Sequence, residues 1–214
     1  MEVEVKLQIL DNHHFNRLKQ LLSPSHVKTL YQRNFFYDTP SSALSSRRAV
    51  LRLRHVSTLS AIAAATDVWY MTLKGNARLV NGVSRVEEDE EEINPVDGEA
   101  CLSDSSRMGV IGSRIINRCW DEFGLTRGTD FVCLGGFENV RDVHRWKDGL
   151  NLEVDETKYA FGTYYEVECE TNEPELVKAN LERFFQENDI DFNDSKMSKF
   201  AIFKTGKLPS QGIS

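Results

Sequence analysis

Met1-Glu2-Val3-Glu4-Val5-Lys6-Leu7 opens the chain and decides how the rest of it is read. Side chains of an extended strand alternate between two faces, so Glu2, Glu4 and Lys6 share one face and Val3, Val5 and Leu7 the other. The apolar face must be the packed one. Two carboxylates about 4 Å apart repel by roughly 4 kcal/mol at an effective dielectric near 20. Either this polar face is solvated, as in many antiparallel sheets, or cations from elsewhere offset the repulsion.

Working outward, the same design recurs. In Val50-Leu51-Arg52-Leu53-Arg54-His55 the two arginines share one face and the leucines the other. Paired guanidiniums suit bidentate contacts to phosphate better than lysine does. Val68 to Gly75 is a further strand, with Thr72 and Lys74 opposed to Leu73. Asn81-Gly82 signals a tight turn. After it, Val83 to Ile93 puts Arg85, Glu87, Asp89 and Glu91 on one face and Glu88, Glu90 and Glu92 on the other. One bulge would exchange those two sets. The extended stretch from Phe131 offers Arg141 as another inward cation. Leu150 to Lys158 sets Leu152, Val154 and Glu156 against Glu153, Asp155 and Thr157. In Tyr165-Glu166-Val167-Glu168-Cys169-Glu170 three carboxylates oppose Val167 and Cys169.

Helical spacing marks the segments between and after these strands. Asp11-Asn12 caps a helix carrying Phe15, Leu18, Leu21 and Leu22, and Ile111 to Phe123 forms another that Gly124 ends. Glu173-Pro174 opens a third helix reaching Asn188, and Ser195 is expected to cap a last one containing Met197, Phe200 and Phe203. Residues 56–67 and 94–107 read as loops. Residues 1–207 are expected to form one domain, with 208–214 as a tail.

Composition excludes several classes of function. The 214 residues carry a net charge of -7, which argues against a nucleic-acid or anionic-membrane surface and requires any polyanion to meet a locally basic site. Cys101, Cys119, Cys133 and Cys169 lack the spacing of a zinc site or a disulfide framework and read as buried thiols. No apolar run is long enough to span a membrane and no apolar signal core follows Met1, so a soluble, cytoplasmic monomer is expected.

Helices cover apolar faces, so the charged strand faces are left to line an interior. The expected fold is α+β: a closed, eight-stranded antiparallel β-barrel with flanking helices, since closure removes exposed edges. Lys6, Arg52, Arg54, Lys74 and Arg85 supply cations for phosphates. Glu2, Glu4, Glu166, Glu168 and Glu170 supply oxygens for a hard divalent metal such as Mg²⁺ or Mn²⁺. A metal–triphosphate complex uses both halves. A carrier for apolar ligands would instead need apolar inward residues.

Glu2-Val3-Glu4-Val5-Lys6 resembles the Glu-x-Glu-x-Lys signature of the CYTH superfamily, and the chain is similar to its plant triphosphate tunnel metalloenzymes. The likeness continues in order through Phe36-Tyr37-Asp38-Thr39-Pro40, Leu51-Arg52-Leu53-Arg54, Leu73-Lys74, Ser84-Arg85-Val86-Glu87, Asp155-Glu156 and Glu166-Val167-Glu168. The resemblance implies an eight-stranded tunnel with a C-terminal plug helix that offers Lys199. It implies Lys6, Arg52, Arg54, Lys74, Arg85 and Lys199 as phosphate ligands, with Arg141 as a further candidate. Glu2, Glu4 and Glu168, with Glu166 or Glu170, would hold metal, two divalent ions acting during turnover. Glu87 and Asp89 would bind metal through water or orient the attacking water. The activity implied is hydrolysis of inorganic triphosphate to pyrophosphate and phosphate. An adenylate cyclase making cyclic AMP from ATP, and a protein that binds polyphosphate without turnover, are the alternatives.

Overall fold

The computed structural model describes residues 1–59 and 66–209. Its strands are β1 (Glu2–Ile9), β2 (His26–Asp38), β3 (Val50–Leu59), β4 (Thr66–Lys74), β5 (Arg78–Val80), β6 (Val83–Val86), β7 (Glu88–Ile93), β8 (Val132–Arg145), β9 (Asn151–Tyr159), β10 (Gly162–Glu170) and β11 (Phe192–Asp194). The helices are α1 (Asn12–Leu22), α2 (Pro95–Ser103), α3 (Arg114–Phe123), α4 (Pro174–Glu187) and α5 (Lys199–Thr205).

All eleven strands join one antiparallel sheet in the order β5-β6-β1-β10-β9-β8-β2-β3-β4-β7, with β11 also paired to β1. The two ends, β5 and β7, are not hydrogen-bonded to each other. The expected eight-stranded, closed barrel is therefore corrected to an eleven-stranded sheet that backbone hydrogen bonds do not close. One connection joins the two sides covalently. The chain runs from β6, paired to β1, through Glu87 into β7, paired to β4, and Gly75 donates its N–H to the Glu87 carbonyl at 2.8 Å.

The hydrophobic core lies on the side of the sheet that the helices cover. Val5, Leu7, Val154, Val167 and Cys169 pack under α1 and α4, against Phe15, Leu18, Leu181 and Phe185. Leu51, Leu53, Met71 and Leu73 pack under α2 and α3, against Cys101, Ile115, Ile116 and Cys119. Burial of a large aliphatic side chain contributes about 1.5–3 kcal/mol, so these two clusters hold the helices to the sheet and leave the other face to polar groups. A smaller cluster of Tyr159, Tyr164 and Ile202, with Phe137 and Phe203 against it, seats α5. Gly135 has φ +97° there, and a Cβ at that position would stand 3.3 Å from Phe203.

Some local expectations change. Residues 94–107, read as a loop, contain α2, because the Asn94 side chain caps it by accepting from the Val96 N–H and Pro95 occupies its first turn. The last helix starts later than expected: Ser198, not Ser195, is its cap and accepts from the Ala201 N–H. Of the expected loop 56–67, residues 56–59 and 66–67 are strand and 60–65 lie outside the described residues, as do residues 210–214 of the expected tail. Three cysteines are buried and Cys133 is exposed, all with free thiols. Among the described residues no helix is long and apolar enough to cross a membrane.

Candidate active site

Strand register decides which charges meet. Cross-strand partners share a face, and β1 pairs Glu4 with Glu170, Lys6 with Glu168 and Gln8 with Glu166 on β10. On its other edge β1 pairs Glu2 with Val86 and Glu4 with Ser84. Arg52 lies opposite Thr72, Thr72 opposite Glu90, and Lys74 opposite Glu88. These faces border a cavity of about 160 Å³, lined among others by Glu2, Glu4, Lys6, Arg52, Arg54, Lys74, Glu88, Arg141, Glu168 and Lys199.

At one end of the cavity Lys199, from the start of α5, is surrounded by acids. Its ammonium stands 2.8 Å from Asp155 and 2.7 Å from Glu168 and also donates to Glu166. Arg141 grips Asp155 through two N–H groups at 2.8 and 2.7 Å and reaches Glu168 and Glu153. Lys6 bonds Glu168 and lies 2.6 Å from Glu4. Burial works against the charged form of Lys199, yet Asp155, Glu166 and Glu168 hold its pKa well above the usual lysine value. Burial pushes Glu166 up to about 7, while Lys199, Lys6 and Arg141 overcome the same burial and hold Glu168 well below the usual carboxylate range.

At the other end Arg52 donates to Thr72 at 3.1 Å, Glu88 at 3.1 Å and Glu90 at 3.2 Å. Lys74 pairs with Glu88 and stands 3.7 Å from Glu2, on a strand at the far side of the sheet order. Burial and the hydrogen-bonded Glu88 push Glu2 up to about 8. Against its own burial, Glu88 is held down to about 2 by that bond and by Lys74 and Arg52. Arg54 differs from the other cations. Its Nε donates to Asn34 at 2.9 Å, and among the described residues it forms no ion pair. Burial, with Arg52 and Arg141 nearby, lowers its pKa to about 10.

The structure thus gathers Lys6, Arg52, Arg54, Lys74, Arg141 and Lys199 with Glu2, Glu4, Glu166 and Glu168. Glu170 is exposed at a rim opening shared with Glu2, Glu88 and Glu90. Arg85, Glu87 and Asp89 do not join this set. Because Ser84 pairs with Glu4 and Val86 with Glu2, the odd-numbered residues face outward. Arg85 approaches Glu175 of α4 at 3.5 Å, Glu87 meets Arg118, and Asp89 is held by Arg114 and Arg118 of α3. Their expected inward placement is corrected, and Glu88 and Glu90 take it. Asp155, fully buried, also belongs to the site. Its signal was present in the sequence as a residue sharing a face with Glu153 and Thr157, but no cation stood beside it until register brought Arg141 across.

The donor set suits a hard divalent cation. Glu2, Glu88 and Glu90 offer only oxygens, and the shifts of Glu2 and Glu88 mean that this pair retains a proton which a divalent cation would replace. Among the described residues, Asp155, Glu166 and Glu168 are the acidic group whose oxygens lie within 4.8 Å of one another, and Lys199 bonds all three.

Residues 1–200 match the CYTH domain model. The chain is similar over 98% of its length, and 98% of the other chain, to HpAC1 from Hippeastrum, a candidate adenylyl cyclase with a dominant triphosphatase activity, at 47% identity and a TM-score of 0.90. A candidate adenylate cyclase from Bacillus halodurans shares the fold at 17% identity and a TM-score of 0.68, over 95% of this chain and 97% of that one. The PH1819 protein of Pyrococcus horikoshii does so at 18% identity and 0.63, over 97% and 100%. Among curated proteins none matches.

Proposed function

The chain belongs to the CYTH domain family, and on that premise we propose that it hydrolyses inorganic triphosphate to pyrophosphate and phosphate with Mg²⁺ or Mn²⁺, inside a tunnel formed by its charged sheet face. The observation that carries this reading is the convergence of six cations, Lys6, Arg52, Arg54, Lys74, Arg141 and Lys199, on one cavity that Glu2, Glu4, Glu88 and Glu168 also line. The dominant triphosphatase activity of HpAC1 supports it.

In this reading Arg54 makes the first contact with the polyanion, because no carboxylate has to be displaced from it. Arg52 and Lys74 hold the phosphate chain at one end, and Arg141, Lys6 and Lys199 hold it at the other. Glu2, Glu88 and Glu90 would bind the divalent cation. When bound, that ion neutralises phosphate charge and lowers the pKa of a water. Glu87 is turned out of the cavity toward Arg118 and Glu88 is held ionised by Lys74 and Arg52, so acceptance of the water's proton falls to Glu90 of the adjoining strand β7. The cations remain in place while charge develops on the leaving phosphate, and so stabilise the transition state without reorganising.

The test is product analysis with purified protein, Mg²⁺ or Mn²⁺, and either tripolyphosphate or ATP. Equimolar phosphate and pyrophosphate from tripolyphosphate is the expected result. Cyclic AMP as the main product from ATP would replace this reading with a cyclase, and saturable binding without any product would replace it with a polyphosphate-binding protein.

A further inference from the structure

Behind Lys199 lies a chain of buried hydroxyls that the phosphate and metal chemistry does not use. Glu166 is fully buried, and its two oxygens are used differently. One accepts from the Lys199 ammonium. The other accepts from the Ser195 hydroxyl at 2.6 Å, and the Tyr164 hydroxyl lies 3.2 Å from Ser195 and 3.4 Å from the same Glu166 oxygen. Ser195 and Tyr164 are each 2% exposed. With Ser195 donating to Glu166, its oxygen is left to accept from Tyr164, so the donors run one way, Tyr164 to Ser195 to Glu166. Each bond polarises the next.

The backbone locks this chain in place. The Ser195 N–H donates to the Lys6 carbonyl at 3.1 Å, tying the segment before α5 to β1, and the Tyr159 hydroxyl donates to the Lys199 carbonyl at 3.0 Å. Ser198 is the residue that caps α5, which leaves the Ser195 hydroxyl free for Glu166.

We propose that Ser195 and Tyr164 are positioning residues for Lys199: they fix the Glu166 carboxylate, and its opposite oxygen aims the ammonium into the cavity. The kinetic part of this rests on the triphosphatase reading above. Arg52 and Lys74 lie at the other end of the cavity with the carboxylates of the attacking-water side, so a misaimed Lys199 leaves most substrate anchoring intact and weakens charge stabilisation at the leaving pyrophosphate. A small displacement of such a group is enough to slow turnover.

The test combines steady-state kinetics on tripolyphosphate with NMR of the lysine ammonium groups. Ser195→Ala is expected to lower kcat by roughly tenfold or more, the usual consequence of losing a bond to a charged group, with KM changed less than about threefold. Tyr164→Phe, which keeps the shape of the ring, lowers kcat less, and Ser195→Thr restores it. In the metal-free protein, independently of any activity, the wild type is expected to give a slowly exchanging Lys199 ammonium signal that broadens or is lost in Ser195→Ala and returns in Ser195→Thr. An unchanged Lys199 signal in Ser195→Ala overturns the proposal. So does a kcat loss in Ser195→Ala that Ser195→Thr leaves uncorrected while the Lys199 signal stays in place. If the wild type does not hydrolyse tripolyphosphate, the triphosphatase reading fails, and the Lys199 signal alone decides the positioning claim.

Discussion

Replacing Lys199 with methionine keeps much of the side-chain volume and removes the charge that Asp155, Glu166 and Glu168 share. The ammonium stands 2.8 Å from Asp155 and 2.7 Å from Glu168 and bonds Glu166 as well. Without it, Arg141 and Lys6 must balance three buried carboxylates whose oxygens lie within 4.8 Å of one another. Breaking a buried ion pair from one side costs about 3–5 kcal/mol. At about 2–4 °C per kcal/mol for a chain of this size, Lys199→Met should lower Tm by roughly 6–20 °C. The penalty has a defined pH dependence. The folded-state pKa of Glu166 is raised to about 7, so its protonated form stabilises the fold below the unfolded value, and that contribution is lost as pH rises through 7. Lys199 is a group that lowers Glu166, and its loss moves this window upward. The stability difference between wild type and variant is therefore full above the variant's raised Glu166 pKa and narrows as pH falls to about 7, below which Glu166 is protonated in both. Urea unfolding at several pH values measures it. A loss below about 1 kcal/mol at pH 9, or a gap that widens on acidification, would show that Lys199 does not offset the three carboxylates.

Three further outcomes follow from the same geometry. Glu88→Gln should reduce kcat/KM by about a hundredfold, whereas the outward Asp89→Asn stays within about twofold; the reverse ranking would restore the face assignment that the register overturned. Arg54→Ala should raise KM about tenfold through loss of a charge-assisted contact, while Arg85→Ala leaves it unchanged, and initial-rate kinetics on both variants decides this. With Glu2 at about 8, Mn²⁺ binding at pH 7 should release about 0.9 proton, and affinity should fall about tenfold per pH unit below 8. Calorimetry in buffers of different ionisation enthalpy reads the release directly, and heats independent of the buffer would remove Glu2 from the metal site.

Much of the site could be read in the sequence because its chemistry lies on strands with a strict two-residue period. Glu2, Glu4 and Lys6 share a face with Glu166 and Glu168 for the same reason that Val5 and Val167 share the other. The acidic run resisted that reading. Glu87 to Glu92 contains no apolar residue to mark a buried side, so periodicity separates its two faces without saying which one points inward. The pairing of Glu2 with Val86 decides it, and that pairing is a long-range property. Asp155 and Ser195 were missed for a related reason. Their partners, Arg141 and Glu166, lie on strands or segments that adjoin theirs only in the folded sheet. The number of strands and the open hydrogen bonding between β5 and β7 depend on where Glu87 hands the chain from one neighbour to the other, which local sequence does not encode.

In the proposed function the inward charged face is where a triphosphate is held for hydrolysis. A crystal structure with tripolyphosphate, obtained with the Glu88→Gln variant, which is expected to turn over slowly, would show where the substrate sits. Phosphate oxygens are expected within hydrogen-bonding distance of Arg52, Arg54 and Lys199, with Arg85 uninvolved. Tripolyphosphate bound on the outer face, or an inner face left without it at saturating concentration, would exclude the inner face as the substrate site.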